Sequence, residues 1–226
     1  MEQQVVFTRR AFNAILTETL DRSPLETGGI FIGYVLDNGI WIVVETIPPG
    51  IKTVNRQAYF EYDADFINYL SNVIAKQYKG NLQVLGLWHR HPGSMDFFSG
   101  TDDVTNLQFS KANSCGAISA LVNCDPKCRI TMYHVAHSGE YTKLNWVVDD
   151  GLIPDELLAL RFNDEADLPI INRDGYVISP DAVIAETATV ENKKPEDVEK
   201  ASVEAEYTFA DAARDFTAIV KKLLKI

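Results

Sequence analysis

The spacing of apolar side chains predicts alternating helices and strands over the first 150 residues. Apolar positions at helical spacing follow Thr8, which is suited to cap a helix over residues 9–20. The dipeptide Asn38-Gly39 separates two apolar runs, residues 26–35 and 40–47, and predicts a hairpin. The other expected elements are a polar loop over 52–57, a short strand over 59–62, a helix capped by Asp63 or Asp65, a strand leading to two histidines, a helix from Asp102, and strands over 116–123, 128–135 and 141–148. This order predicts a mixed α+β domain.

One of these strands, together with the loop after it, carries the candidate chemistry. Side chains alternate along a strand, so His89 and His91 are expected to project from the same face. Pro92 and Gly93 end the strand, and Ser99, followed three residues later by Asp102, has the pattern that begins a helix. The turn is therefore expected to bring Asp102 back toward the two histidines.

Two imidazoles and a carboxylate are a metal-ligand set. A catalytic zinc takes three protein ligands from His, Cys, Asp or Glu and leaves one position open. It lowers the pKa of a bound water and polarises a carbonyl, so it can carry out amide hydrolysis without a covalent intermediate. This hydrolysis also needs a carboxylate that is not a metal ligand, which takes the proton of the water and gives it to the leaving amine. Taken alone, the two histidines are also consistent with partly exposed polar residues. Asp96 and Asp103 are rival carboxylates in the same region.

Composition and charge narrow the class of partner. The chain has 226 residues and a net charge of −11, which argues against a nucleic-acid partner because Lys and Arg supply most of that affinity. A neutral or basic partner fits better. No apolar run is long enough to span a bilayer, and the first residues lack the pattern of a secretory signal. Three cysteines without a motif spacing suit reduced thiols, so we expect a cytoplasmic protein.

The pattern changes after residue 150. Residues 152–160 are expected to form a short helix and 161–190 mostly loop, whereas 195–226 have the apolar seam of an amphipathic helix. Its seam consists of Val198, Ala201, Ala205, Thr208, Ala212, Phe216, Ile219, Leu223 and Ile226. We therefore expect one domain over 1–150 and a C-terminal extension over 151–226. The terminal helix either packs on the domain or mediates self-association or partner binding.

Two short motifs together resemble a known family. The run His89-x-His91-Pro92, continued by Ser99 and Asp102, resembles the signature of the JAMM (JAB/MPN+) zinc metalloproteases. The upstream run Glu26-x-Gly-Gly-Ile-Phe-Ile-Gly33 resembles that family's glutamate at the start of a long strand. The resemblance extends over the element order from about residue 5 to 148, and it does not reach the segment after 151.

The resemblance implies a fold, a reaction and a set of roles. It implies a cytidine-deaminase-like, α/β/α-like JAB/MPN core with a mixed β-sheet flanked by helices, in which His89, His91 and Asp102 bind Zn²⁺. Glu26 would be the general acid/base that activates water with the zinc, and Ser99 would donate a hydrogen bond to the developing oxyanion. Members cleave isopeptide or peptide bonds after the C-terminal tail of ubiquitin-like proteins, in deconjugation or precursor processing.

The size of the chain also resembles one part of the family. Compact members are mostly prokaryotic, and several act beside homologues of ubiquitin-activating and ubiquitin-conjugating enzymes. The chain lacks long insertions like the segments with which eukaryotic deubiquitinases of this family grip ubiquitin. Which ubiquitin-like modifier it would cleave is therefore open.

Other interpretations remain alongside this one. Glu26 could be an exposed residue after a helix, and the whole chain could be a non-catalytic MPN-type scaffold or partner-binding module. A zinc nucleotide deaminase is set aside because its Pro-Cys-x-x-Cys pattern is absent. Phe97 and Phe98 are adjacent aromatic residues in the loop between the ligands, and one of them is a candidate to line a substrate groove.

Overall fold

A computed structural model of the chain describes residues 4–57 and 59–162. Over this range it contains nine strands, four α-helices and one 3₁₀ helix, Asp150–Leu152. The strands are β1 (Gln4–Phe7), β2 (Thr27–Val35), β3 (Ile40–Ile47), β4 (Val54–Arg56), β5 (Tyr59–Glu61), β6 (Gln83–Arg90), β7 (Ala117–Asn123), β8 (Arg129–Val135) and β9 (Tyr141–Val148). The α-helices are α1 (Arg9–Asp21), α2 (Ala64–Gln77), α3 (Gly100–Ala112) and α4 (Asp155–Leu158).

Seven strands form one mixed sheet in the order β1-β3-β2-β6-β7-β8-β9. The sheet closes on itself because β1 pairs in parallel with both β3 and β9. Strand β2 pairs antiparallel with β6, which brings Gly28 opposite His89 and Thr27 opposite Arg90. The two remaining strands, β4 and β5, form a separate antiparallel hairpin. The predicted mixed α+β class is confirmed, whereas the closure of the sheet was not predicted.

Two buried apolar clusters lie on the two faces of this sheet. Successive side chains of β2 point to opposite faces, so Ile30 and Ile32 belong to one cluster and Phe31 to the other. Ala11 and Ile15 bring α1 into the cluster of Phe31. The cluster of Ile30 and Ile32 contains residues of α2 and α3, among them Ile67, Ile74 and Phe109. Helices therefore pack against both faces of the sheet, as predicted, and α3 lies on the face toward which the histidines project.

The helix starts follow the predicted capping residues. Thr8 accepts a hydrogen bond from the Ala11 N–H at the start of α1, and Asp63 accepts one from the Phe66 N–H at the start of α2. Helix α3 begins at Gly100, two residues before the predicted start, because Ser99 is its cap. The Thr8 hydroxyl also donates to the Val44 carbonyl at 2.7 Å, which joins the start of α1 to β3.

The prediction of a polar loop over 52–57 is wrong in part, because this segment contains β4.

The segment after residue 150 has a shorter helix than predicted, α4, and then pairs with the end of α2. The Lys79 N–H donates to the Ala159 carbonyl, and the Arg161 N–H donates to the Gln77 carbonyl. The predicted loop after residue 162 and the amphipathic helix over 195–226 lie outside the described residues, so the division at residue 150 stays a prediction. No helix in the described ranges is long and apolar enough to cross a membrane.

Candidate metal centre

His89 and His91 lie at the end of β6, on the side of the sheet that faces α3. His89 is a residue of β6, and His91 follows the strand with its N–H donating to the Val122 carbonyl at 3.0 Å. The two rings have centroids 6.4 Å apart and planes 29° apart, and both side chains are buried. The two imidazoles therefore project from the same face, as predicted.

Asp102 meets both imidazoles. Ser99 caps α3 and forms a reciprocal pair with Asp102 in the first turn, so the carboxylate is held at the helix start. Its Oδ1 lies 3.4 Å from His89 Nδ1, and its Oδ2 lies 3.3 Å from His91 Nε2. The structure therefore brings together the three predicted ligands.

The charges in this cluster are set by burial and by close contacts. Burial alone would raise the pKa of Asp102, but hydrogen bonds from His91 and Ser99 and the charge of His89 hold that pKa well below its usual value. Burial lowers the pKa of His89 to about 4, against the opposing effect of Asp102. At neutral pH the cluster therefore contains an ionised carboxylate beside a neutral His89 imidazole, which are the protonation states that metal ligands need.

Glu26 lies directly before β2, beside this cluster. Its N–H donates to the Arg56 carbonyl at 2.9 Å, and its own carbonyl accepts from Asn55 Nδ2 at 2.7 Å. Burial raises the pKa of its half-buried carboxyl group, while His91 lowers it and Asp102 raises it through their charges. The Glu26 carboxyl group is thus close enough to His91 and Asp102 for their charges to shift its pKa, and it is not one of the three contacting side chains.

Three neighbouring residues were not identified from the sequence as part of the site. Arg90 is buried on the opposite face of β6, where its guanidinium donates to the Leu25 carbonyl just before Glu26. Asn55 contacts the Glu26 backbone, and the Tyr62 hydroxyl lies 3.4 Å from His89 Nε2. Strand alternation could have pointed to Arg90. No local pattern indicates the other two, because their partners are distant in sequence.

The rival carboxylates and the two loop aromatics are accounted for by their contacts. Asp96 forms an ion pair with Arg129, and Asp103 Oδ1 accepts a hydrogen bond from the Tyr141 hydroxyl at 2.7 Å. Phe98 stacks on Tyr141 with ring centroids 4.9 Å apart, whereas Phe97 is 64% exposed. Phe97 is therefore the aromatic residue of this loop that is free to contact another molecule.

The donor residues are of the kinds that bind zinc, but they are not arranged to hold it in this structure. Ligand atoms of a tetrahedral zinc lie about 3.3–3.6 Å from one another, as the nitrogen and oxygen atoms here do. His89 Nδ1 is buried and has no hydrogen-bond partner, which is an orphaned atom that a cation would satisfy. Asp102, however, presents a different oxygen to each histidine. Within the described ranges, no group of three or more His, Cys, Asp or Glu side chains is arranged to hold a metal ion as it stands. Coordination therefore requires a rotation of these side chains.

A mixed α+β fold with a His-His-Asp cluster at the end of a central strand and a separate glutamate beside it defines a candidate mononuclear metal site. The model for the prokaryotic homologs of the JAB domain matches residues 8–128 of this chain. This match spans more than half of the chain and includes all five predicted site residues, so the protein belongs to that family.

Two further comparisons add little to this assignment. The search of curated proteins found no match. Among solved structures, a solution structure of a protein from Desulfitobacterium hafniense is similar at 15% identity, with a TM-score of 0.48, over 66% of this chain and 94% of that one. At that TM-score the likeness establishes neither fold nor function.

Proposed function

We propose that this protein is a zinc-dependent peptidase that cleaves the bond following the C-terminal tail of a ubiquitin-like protein. The observation that carries the proposal is the convergence of Glu26 with His89, His91 and Asp102, which lie more than sixty residues further along the chain. Such a convergence serves no capping or core-packing purpose for Glu26, whose carboxyl group is only half-buried. The finer fold description, a cytidine-deaminase-like core, belongs to the same proposal.

His89, His91 and Asp102 are the residues that would hold the metal. When bound, zinc would supply Lewis acidity, polarising the scissile carbonyl and lowering the pKa of a water molecule. The buried His89 imidazole and the capped carboxylate are already in the protonation states that binding requires, so these two groups would release little proton on binding.

Glu26 is the group proposed to move the proton. Burial raises its pKa toward neutrality, which makes it a better proton acceptor than an exposed carboxylate. In the proposed reaction it takes a proton from the attacking water as the C–O bond forms. It then returns that proton to the nitrogen as the C–N bond breaks, so that no protein group is consumed.

Ser99 is proposed to donate a hydrogen bond to the carbonyl oxygen as negative charge develops there. In this structure its hydroxyl donates instead to Asp102 Oδ2 at 2.7 Å. The proposed role therefore requires the hydroxyl to change its acceptor when substrate is present. The Ser99 N–H, which also donates to Asp102 Oδ2 at 2.8 Å, can keep the carboxylate in place meanwhile.

The substrate class and setting are part of the proposal. A net charge of −11 favours a neutral or basic conjugate, and exposed Phe97 provides an apolar contact beside the site. Homologues of ubiquitin-activating or ubiquitin-conjugating enzymes are the proposed pathway partners, in the cytoplasm of a bacterium.

The test uses the full-length protein, zinc analysis and fusions of ubiquitin-like proteins ending in Gly-Gly to a reporter. The wild type is expected to bind about one zinc per chain and to release the reporter. Glu26→Gln should keep the zinc and lose about 10²-fold or more in turnover, because general acid–base catalysis contributes about that much. Glu140→Gln, which changes an exposed glutamate in the turn before β9, is the matched control.

Two outcomes would overturn the proposal, namely a wild type that binds no zinc and a Glu26→Gln variant that turns over normally. The alternative is a non-catalytic MPN-type scaffold, which the direct contacts of Asp102 with both histidines favour because they need no metal. That alternative is supported if no conjugate is cleaved and partner affinity is unchanged by His89→Ala.

A further inference from the structure

The aromatic residues of the β4–β5 hairpin surround the His89 ring. The Phe60 ring lies 5.7 Å from it, centroid to centroid, at an interplanar angle of 84°, and the Tyr62 ring lies 6.1 Å away at 44°. Phe60 and Tyr62 also pack against each other edge to face, with centroids 4.4 Å apart. The imidazole is therefore packed against two aromatic rings of the hairpin.

Gly28 is what allows this close approach. It pairs with His89 across β2 and β6. A Cβ atom at this position would lie 2.9 Å from Phe60 Cε1, 3.0 Å from the Tyr62 hydroxyl oxygen and 2.5 Å from the Trp88 carbonyl oxygen. Real Cβ atoms do not approach a backbone oxygen so closely, so a side chain here would displace the hairpin from His89.

The two nitrogens of the His89 ring have different surroundings. Nε2 lies 3.4 Å from the Tyr62 hydroxyl, while Nδ1 is buried without a hydrogen-bond partner and faces Asp102 Oδ1 at 3.4 Å. A neutral imidazole has one N–H donor and one lone pair. If a cation were held by Nδ1 and Asp102, the lone pair would be on Nδ1 and the proton on Nε2, where the tyrosine oxygen is in reach as an acceptor.

We propose that Tyr62 is a positioning residue, which accepts the Nε2–H of His89 and so fixes Nδ1 as the atom that binds the metal. The inference rests on the proposed function in that it requires the metal. A tyrosine hydroxyl can accept a hydrogen bond as well as donate one. It acts through His89 and does not take part in proton transfer.

The same hairpin also holds Glu26. Strand β4 provides the Arg56 carbonyl and the Asn55 side-chain amide that bind the Glu26 backbone, and Tyr62 follows β5 directly. The proposed metal ligand and the proposed acid/base are thus positioned from one element.

The experiment compares Tyr62→Phe with Tyr59→Phe in the full-length protein. Tyr59 lies on the same hairpin, half exposed, and its hydroxyl bonds to Glu61, so its loss is a matched removal of one hydroxyl. Zinc affinity is measured by competition with a chelator. Tyr62→Phe is expected to bind zinc about 10–100-fold more weakly than wild type, the usual cost of losing a hydrogen bond to a ligating histidine, and Tyr59→Phe is expected to match wild type.

A second readout does not depend on turnover. Long-range ¹H–¹⁵N spectra of the zinc-loaded protein report which His89 nitrogen carries the proton, and the expected form is Nε2–H with Nδ1 bound. The proposal is overturned if zinc is bound through Nε2, if Tyr62→Phe keeps the wild-type affinity, or if the wild type binds no zinc. A protein that binds zinc with the expected Tyr62 dependence but cleaves no conjugate would contradict the proposed function alone.

Discussion

Ser99 and Asp102 hold each other at the start of α3, with the Asp102 N–H donating to Ser99 Oγ at 3.2 Å and Ser99 donating twice to Asp102 Oδ2. A helix cap and a proposed metal ligand are therefore one structure. Because two donors from the preceding loop hold Oδ2, the carboxylate already faces the histidines without a bound ion.

Ser99→Ala and Ser99→Asn separate the two roles of this serine. Alanine removes the cap and is expected to lower the free energy of unfolding by about 1 kcal/mol, whereas asparagine caps a helix as well as serine does. Neither variant has the hydroxyl proposed to face the oxyanion, so both should lose about 10²–10³-fold in kcat. Urea unfolding and turnover of the same preparations check this. An Asn variant with wild-type kcat would reduce Ser99 to a cap.

Arg90 is expected to support the segment before Glu26. Its guanidinium donates to the Leu25 carbonyl and lies 3.4 Å from Ser23 Oγ. Arg90→Met should cost about 1–3 kcal/mol of stability, because it leaves these groups without their donor. Hydrogen exchange of the Glu26 amide should also become faster, because the hydrogen bond from this N–H to the Arg56 carbonyl depends on the position of the segment before Glu26. The Glu26 exchange rate of Arg90→Lys should lie between those of the wild type and Arg90→Met. Equal exchange rates in all three proteins would contradict this role.

Two glycine substitutions are predicted to act in opposite directions. Gly100 begins α3, has an ordinary φ and would meet nothing within 4 Å as alanine. Gly100→Ala is therefore expected to stabilise the protein by about 0.4–1 kcal/mol. Gly86 has φ of 147°, and a Cβ there would lie 1.8 Å from the Ile118 carbonyl oxygen, so Gly86→Ala should be strongly destabilising. Thermal unfolding of both variants gives the signs, and a lower Tm for Gly100→Ala would be inconsistent with this account.

Asp63 should make the stability of α2 depend on pH. Hydrogen bonds from the backbone N–H groups of Lys52 and Phe66 lower its pKa in the folded protein despite some burial. A depressed folded pKa means that the stabilisation is complete above the unfolded pKa, about 3.9, and is lost as the pH falls through the folded pKa. Asp63→Asn keeps the cap but cannot titrate. Its Tm should therefore fall less steeply than that of wild type below about pH 4, and parallel curves would rule the effect out.

The sequence predicted those parts of the fold whose signals are local. The turn at Asn38-Gly39, the cap at Thr8 and the Ser99–Asp102 pair each depend on residues within a few positions of one another, and all three are present. The alternation of His89 and His91 on one face follows in the same way from strand geometry.

The remaining features depend on contacts between distant segments. Strand β4 is short and polar, and it forms because it pairs with β5 and with the Glu26 backbone, neither of which leaves a periodic pattern in Val54–Arg56. The closing of the sheet depends on four residues of β1 that pair on both sides. Tyr62 was placed in a candidate strand, but nothing near it in the sequence indicates His89.

The shared support of Glu26 and His89 by the β4–β5 hairpin has an evolutionary consequence. A deletion confined to this hairpin would loosen the proposed acid/base and the proposed metal ligand together, although neither residue is itself altered. A catalytic member of such a family could thus become a non-catalytic one in a single genetic event. Its sequence would still carry the complete ligand motif, so that motif alone would not separate the two kinds of protein.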